Sequence, residues 1–193
     1  MKHRFETLPV GYEQILAIDL MKNKKLALLV NGLAVLIMIA MIVPALFIVP
    51  IENLFDFSQG MGMYFLRFGV LIVSSFLYII VHEWVHGIAM KYYGAKKVRY
   101  GFHGIYASAC CDDYFDKKSY LVIALAPVVV WGIVFLILQL FANAQWFWVV
   151  WTLQIFNISG AAGDLYVTVR FSRLPKDILI GDYGVGMAVY AKK

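Results

Sequence analysis

Val81-His82-Glu83-Trp84-Val85-His86-Gly87 sets a His-Glu-x-x-His pattern inside a long apolar run, and the reading of these seven residues governs the rest of the chain. If the run is helical, residues four apart lie about 40° apart around its axis. His82 and His86 then project from one face and can share a metal ion. Glu83 lies one residue further round, poorly placed as a ligand beside both histidines but able to take a proton from a nearby water. That is the arrangement of a metal-assisted hydrolase. The bland alternative is three polar side chains that satisfy one another in a helix bundle. Ionisable groups in an apolar span each cost roughly 2.5–3.5 kcal/mol on insertion scales, so three together call for a compensating partner. A metal ion supplies one.

Of the 193 residues, 62% are hydrophobic and 15% charged, and the mean hydropathy is +0.76. Such a balance is far from that of a soluble domain. It predicts an integral membrane protein with the lipid bilayer as its surroundings. The net charge of +5 does not argue for nucleic acid, because the lysines and arginines stand at the ends of apolar runs, where topology signals stand. No nucleic-acid partner is expected. Cys110 and Cys111 are adjacent, in a loop read as cytoplasmic, so no structural disulfide is expected either.

Residues 11–21 form a mixed segment between basic groups, read as a surface-lying stretch or a short cytoplasmic helix. From Leu26 to Val49 the chain is apolar apart from Asn31, long enough at 1.5 Å per residue to cross a ~30 Å hydrocarbon core. The loop over 51–62 carries Glu52 and Asp56 but no lysine or arginine. The amino terminus is therefore expected in the cytoplasm. A second span, about 63–93, enters from outside and carries the histidines toward the cytoplasmic side, with Arg67 read as a side chain snorkelling to the outer surface. Lys91, Lys96, Lys97 and Arg99 surround its end at Gly94. Residues 98–109 are rich in β-formers and interrupted by Gly101 and Gly104, which reads as a short hairpin whose edge could hold an extended peptide. A third span covers about 120–141. A fourth, about 146–169, begins at Trp146, Trp148 and Trp151, read as an aromatic belt, and the tail beyond Phe171 is a candidate cover for the cytoplasmic mouth of the site. These segments predict an all-α membrane protein of about four transmembrane helices with a short β-hairpin-like cytoplasmic loop. It is expected to be a single domain over residues 1–193, both termini cytoplasmic.

A catalytic zinc site takes three protein ligands and keeps one position open, so two histidines leave one to find. No glutamate follows Glu83. The remaining candidates are His103, Cys110, Cys111, Asp112, Asp113, Asp116, Asp164, Asp177 and Asp182, of which only Asp164 falls in an apolar span. Counted from the outer ends at Met63 and Trp146, His82 and Asp164 come to nearly equal depth. The Ser159-Gly160-Ala161-Ala162-Gly163 stretch would let the two helices approach closely. Asn157, seven residues before Asp164, falls on the same face of a continuous helix and is a candidate donor to a substrate carbonyl or a hydrogen bond between helices.

With His82-Glu83-x-x-His86-Gly87 in one span and the Asn157 to Asp164 segment in a later one, the chain resembles the site-2 protease group of intramembrane zinc metalloproteases. It resembles more closely the zincin peptidase family of small bacterial membrane proteins, through most of the chain, including Tyr106 to Cys110 and Pro127. The resemblance implies zinc held by His82, His86 and Asp164, Glu83 as the base, and location in a bacterial plasma membrane. The function expected is hydrolysis of peptide bonds in membrane or membrane-proximal proteins. The rival is a non-catalytic metal-binding membrane protein, such as an assembly factor or transporter component. A neighbouring general base favours the former.

Overall fold

A computed structural model of the chain describes residues 3–103, 106–184 and 186–193. In order, the elements are strands β1 (Arg4–Phe5) and β2 (Tyr12–Asp19), helices α1 (Lys24–Ile48) and α2 (Met61–Tyr92), and strands β3 (Arg99–His103), β4 (Tyr106–Cys110) and β5 (Tyr114–Asp116). Helices α3 (Lys117–Phe141), α4 (Ala144–Gly160) and α5 (Ala162–Ser172) follow, then strands β6 (Ile178–Asp182) and β7 (Gly186–Lys192). Three of the helices, α1, α2 and α3, are long and apolar enough to cross a membrane. Residues such as Leu36, Phe47, Phe76 and Leu140 point their side chains outward on them, where an aqueous surface would expose a large apolar area.

The expectation of an all-α protein with four spans does not hold. Five strands form an antiparallel sheet in the order β1-β5-β6-β7-β2, and β3 pairs with β4 in a second, two-stranded sheet. The sheet escapes a reading along the chain because its strands come from the two ends and one short middle segment, so no stretch announces its partner. In β2 the inward side chains are Leu16 and Ile18, with a register shift against β7 between Gln14 and Leu16. The interrupted alternation leaves neither a clean helical stripe nor a clean strand pattern.

The fourth span is two helices. After Gly160 the chain turns at Ala161 (φ −85°, ψ 19°) and restarts at Ala162, between two glycines, Gly160 and Gly163, that hold a helix weakly. Other boundaries follow local chemistry. Asn23 and Asp116 accept from the amides of Leu26 (3.1 Å) and Ser119 (2.7 Å) at the starts of α1 and α3, as helix caps do. Gly94, at φ +99°, ends α2 in the left-handed conformation that glycine tolerates best.

The chain divides into two compact units. One comprises 1–30, 82–126 and 163–193, the other 31–81 and 127–162. In the first, Phe115, Ile178, Ile180 and Val189 of the sheet are buried with Met90, Ile123, Val167 and Phe171 of the helices, each such side chain worth roughly 1.5–3 kcal/mol of burial. In the second, Ala45, Leu54, Trp148 and Val149 form one buried cluster and Tyr78, Phe135 and Leu153 another. Trp148 is not part of a surface belt: it is buried, and its indole N–H donates to the carbonyls of Val49 and Pro50, at 3.1 and 3.2 Å. Arg67 does not snorkel but is fully buried, donating to the Asp56 carbonyl.

Candidate metal centre

The carboxyl-terminal part of α2 presents His82 and His86 one turn apart, with ring centroids 5.1 Å from each other and planes inclined by 75°. The first turn of α5 presents Asp164. The Nε2 atoms of both histidines lie 3.6 Å from the same oxygen, Asp164 Oδ2, and the three ligand atoms fall within 4.8 Å of one another. Both histidines are buried. Separations of 3.6 Å are too long for hydrogen bonds. They are close to the roughly 3.4 Å between two ligands that each stand about 2.0–2.2 Å from one tetrahedral zinc ion. Two imidazole nitrogens and one carboxylate oxygen are also a donor set zinc accepts. On geometry and chemistry alike, the residues fit.

Three further contacts fix this end of α2. His86 Nδ1 lies 2.9 Å from the carbonyl oxygen of Ile123 in α3. A carbonyl only accepts, so Nδ1 carries the proton and Nε2 is the nitrogen left for a metal. The second contact is at Gly87. A Cβ there would come within 2.8 Å of Cζ of Tyr100, so the missing side chain lets β3 lie against the helix. The backbone N–H of Ala109 in β4 faces the Glu83 carboxylate. The hairpin thus packs on the helix turn that carries the histidines and Glu83.

The other candidate ligands lie elsewhere in the hydrogen-bond pattern. Asp112 pairs with Arg99, Asp113 with Arg4 at 3.1 Å, and Asp116 with His3 at 2.9 Å. Asp177 is exposed, and Asp182 accepts from the Tyr120 hydroxyl at 2.7 Å and the Gly184 amide at 2.9 Å. Burial pushes the Cys110 thiol up, and that of Cys111 up to about 11, which disfavours the thiolate a metal needs. The His103 side chain lies outside the described residues. Asn157 is fully buried in the second unit, accepting from the Tyr78 hydroxyl at Oδ1 (3.0 Å) and donating through Nδ2 to the Val128 carbonyl (3.0 Å). The break at Ala161 removes the continuous helix face that would have aligned it with Asp164. Sequence reasoning missed Ile123 and Tyr100, the first because a main-chain oxygen does the work, the second because a lone tyrosine in a β-rich stretch carries no signal.

Apolar helices of spanning length and a group of two buried histidines and a half-buried carboxylate that could hold a metal ion make a membrane-compatible chain with a candidate metal site. The chain belongs to the family described as "Putative zincin peptidase", whose model matches residues 75–179, a stretch that contains His82, Glu83, His86 and Asp164. It is also 29% identical over 123 residues to an uncharacterized 24.7 kDa protein in the gap 5' region of Pyrococcus woesei. That alignment takes in 61% of this chain and 53% of the relative, so the chain spans about half the relative's length. No solved structure matches.

Proposed function

We propose that the protein is a membrane-embedded zinc metallopeptidase, one functional domain over residues 1–193, that hydrolyses peptide bonds of membrane or membrane-proximal proteins. The observation that carries this reading is the convergence of His82 Nε2 and His86 Nε2 on Asp164 Oδ2 with Glu83 adjacent in sequence to His82. Two histidines from one helix and an aspartate from a later one is also the site-2 protease pattern that the sequence resembles. Zinc, when bound by these three residues, supplies a Lewis acid that polarises the scissile carbonyl and acidifies water. Glu83 takes the proton from the attacking water at its carboxylate and delivers it to the leaving amine nitrogen. His86, held through Nδ1, and Asp164 keep their positions through the cycle.

Strand β4 supports a further detail. With the Ala109 N–H turned toward Glu83 and not toward Tyr100, its pairing partner in β3, that pair is the wide one of an antiparallel ladder. Alternation then turns the peptide groups of Ala107 outward on the same edge. An extended peptide could add there, beside Glu83. Asn157 is retained only as a candidate for substrate contact. Every lysine and arginine except Arg67 falls in the unit that holds the metal cluster. On the positive-inside rule this unit faces the cytoplasm, with both termini, in a bacterial plasma membrane. A cysteine placed at Gln59 should be labelled only from outside, and labelling from the cytoplasm would reverse this orientation.

The rival reading, a metal-binding protein without catalysis, is separated by Glu83→Gln. That change keeps shape and hydrogen bonding but removes the basicity, so zinc content and fold should survive while turnover falls by about 10²–10⁴. The readout compares membrane proteomes of cells carrying either form, seeking a membrane substrate that accumulates uncleaved with the variant. Equal cleavage by both, with zinc in each, overturns the mechanism.

A further inference from the structure

Inside α3 the carbonyl of Ile123 would ordinarily accept the amide N–H of the residue four positions on. That residue is Pro127, which lies within the helix and has no N–H to give. A buried main-chain oxygen without a donor is rare, and Ile123 is buried. The donor it receives is His86 Nδ1, 2.9 Å away. The missing helical bond and the oriented metal-site histidine are two ends of one arrangement.

We infer that Pro127 is a positioning residue for the metal site. By withholding the helical donor, it leaves the Ile123 carbonyl to hold His86 in the Nδ1-protonated form, with Nε2 free to face Asp164 Oδ2. With an amide at position 127, the helix would draw that oxygen into its own ladder and the imidazole would compete for it. This rests on the metal reading of the site. Nothing in the sequence motif itself asks for a proline four residues beyond Ile123. Outer partners of this kind tune metal affinity by holding the ring nitrogen and its orientation. Pro44 provides the internal comparison, because it lies within α1 in the same way, while the His86 Nδ1 lies on the Ile123 carbonyl and not on that of Ala40, the one Pro44 would leave free.

The test uses the full chain in detergent with ¹⁵N-labelled histidine, comparing wild type, Pro127→Ala and Pro44→Ala. In metal-free protein at alkaline pH, where imidazole is neutral, the nitrogen shifts report the tautomer directly. Wild type and Pro44→Ala are expected to show His86 protonated at Nδ1, and Pro127→Ala a mixture. Chelator competition should then give zinc binding about 10-fold weaker in Pro127→Ala alone, at unchanged helix content by circular dichroism. An Nε2-protonated His86 in the wild type overturns the proposal without reference to any variant's folding. So does a folded Pro127→Ala with wild-type tautomer and wild-type zinc affinity. A wild type that binds no zinc, yet shows an Nδ1-protonated His86 that Pro127→Ala disturbs, instead sinks the metalloenzyme reading and leaves the proline-to-histidine link standing.

Discussion

Two buried polar clusters in this chain answer the same physical problem in opposite ways. In one, Asn157, Tyr78 and the Val128 carbonyl pair donor with acceptor at 3.0 Å, so each desolvated group is satisfied by another. In the other, the two imidazole Nε2 atoms of His82 and His86 each lie 3.6 Å from one and the same carboxylate oxygen of Asp164. Groups that satisfy one another are structure. Groups whose ligand atoms converge on one point are the ones that could hold a metal ion.

The sharpest way to break the comparison is to truncate one member of each cluster. Asp164→Ala removes one of three ligands, and zinc affinity should fall by more than the roughly 10–100-fold typical of losing an outer partner. Asn157→Ala should leave zinc content unchanged and lower stability by about 1–3 kcal/mol, because Tyr78 and Val128 lose a buried partner. Metal analysis and denaturant unfolding in detergent read both quantities. If Asn157→Ala emptied the site, or Asp164→Ala kept its zinc, the division between structural and ligand-seeking polarity would be wrong.

A smaller effect tests whether the hairpin belongs to the site. At Gly69, where a Cβ would meet nothing within 4 Å, replacing glycine by alanine should stabilise the helix by about 0.5–1 kcal/mol. At Gly87 the sign should reverse, since the added methyl runs into the Tyr100 ring and overpacking costs about 1–3 kcal/mol. Adding Tyr100→Ala should return part of that loss, a coupling that a double-mutant cycle measures. Additive changes would detach β3 from the helix.

These contrasts also explain what could be read beforehand. The spacing of His82 and His86 is a property of one helix, so local periodicity reveals it. Asp164 was reachable by elimination, as an acidic residue in an apolar run, although the equal-depth argument assumed a straight helix that Gly160 to Ala162 interrupt. The sheet was not legible: β2 and β7 pair across nearly the whole chain, and a contact between distant segments leaves no mark on either alone. Arg67 and Trp148 were misread for a related reason. Their partners are main-chain carbonyls, and every residue has one.

Asp182 gives the smallest effect and probes the comparison at its border, because it is a carboxylate in the same unit as the site yet satisfied by donors of its own, Tyr120 and Gly184. Burial, the largest influence, raises its proton affinity above the ordinary range, while the Gly184 amide and the Tyr120 hydroxyl partly offset that. The sign follows from linkage. Between the ordinary value, near 3.9, and the raised one, the folded protein holds a proton that the unfolded chain has released, so stability is full below that window and declines as pH rises through it. Asparagine stays neutral throughout. The unfolding free energy of wild type minus that of Asp182→Asn, measured with chelator present, should therefore fall as pH rises through the window, by no more than about 1.4 kcal/mol per pH unit, and then level off. A difference that rises instead would mean that Asp182 is held ionised in the fold. Its place would then be with the converging groups that could hold a metal ion.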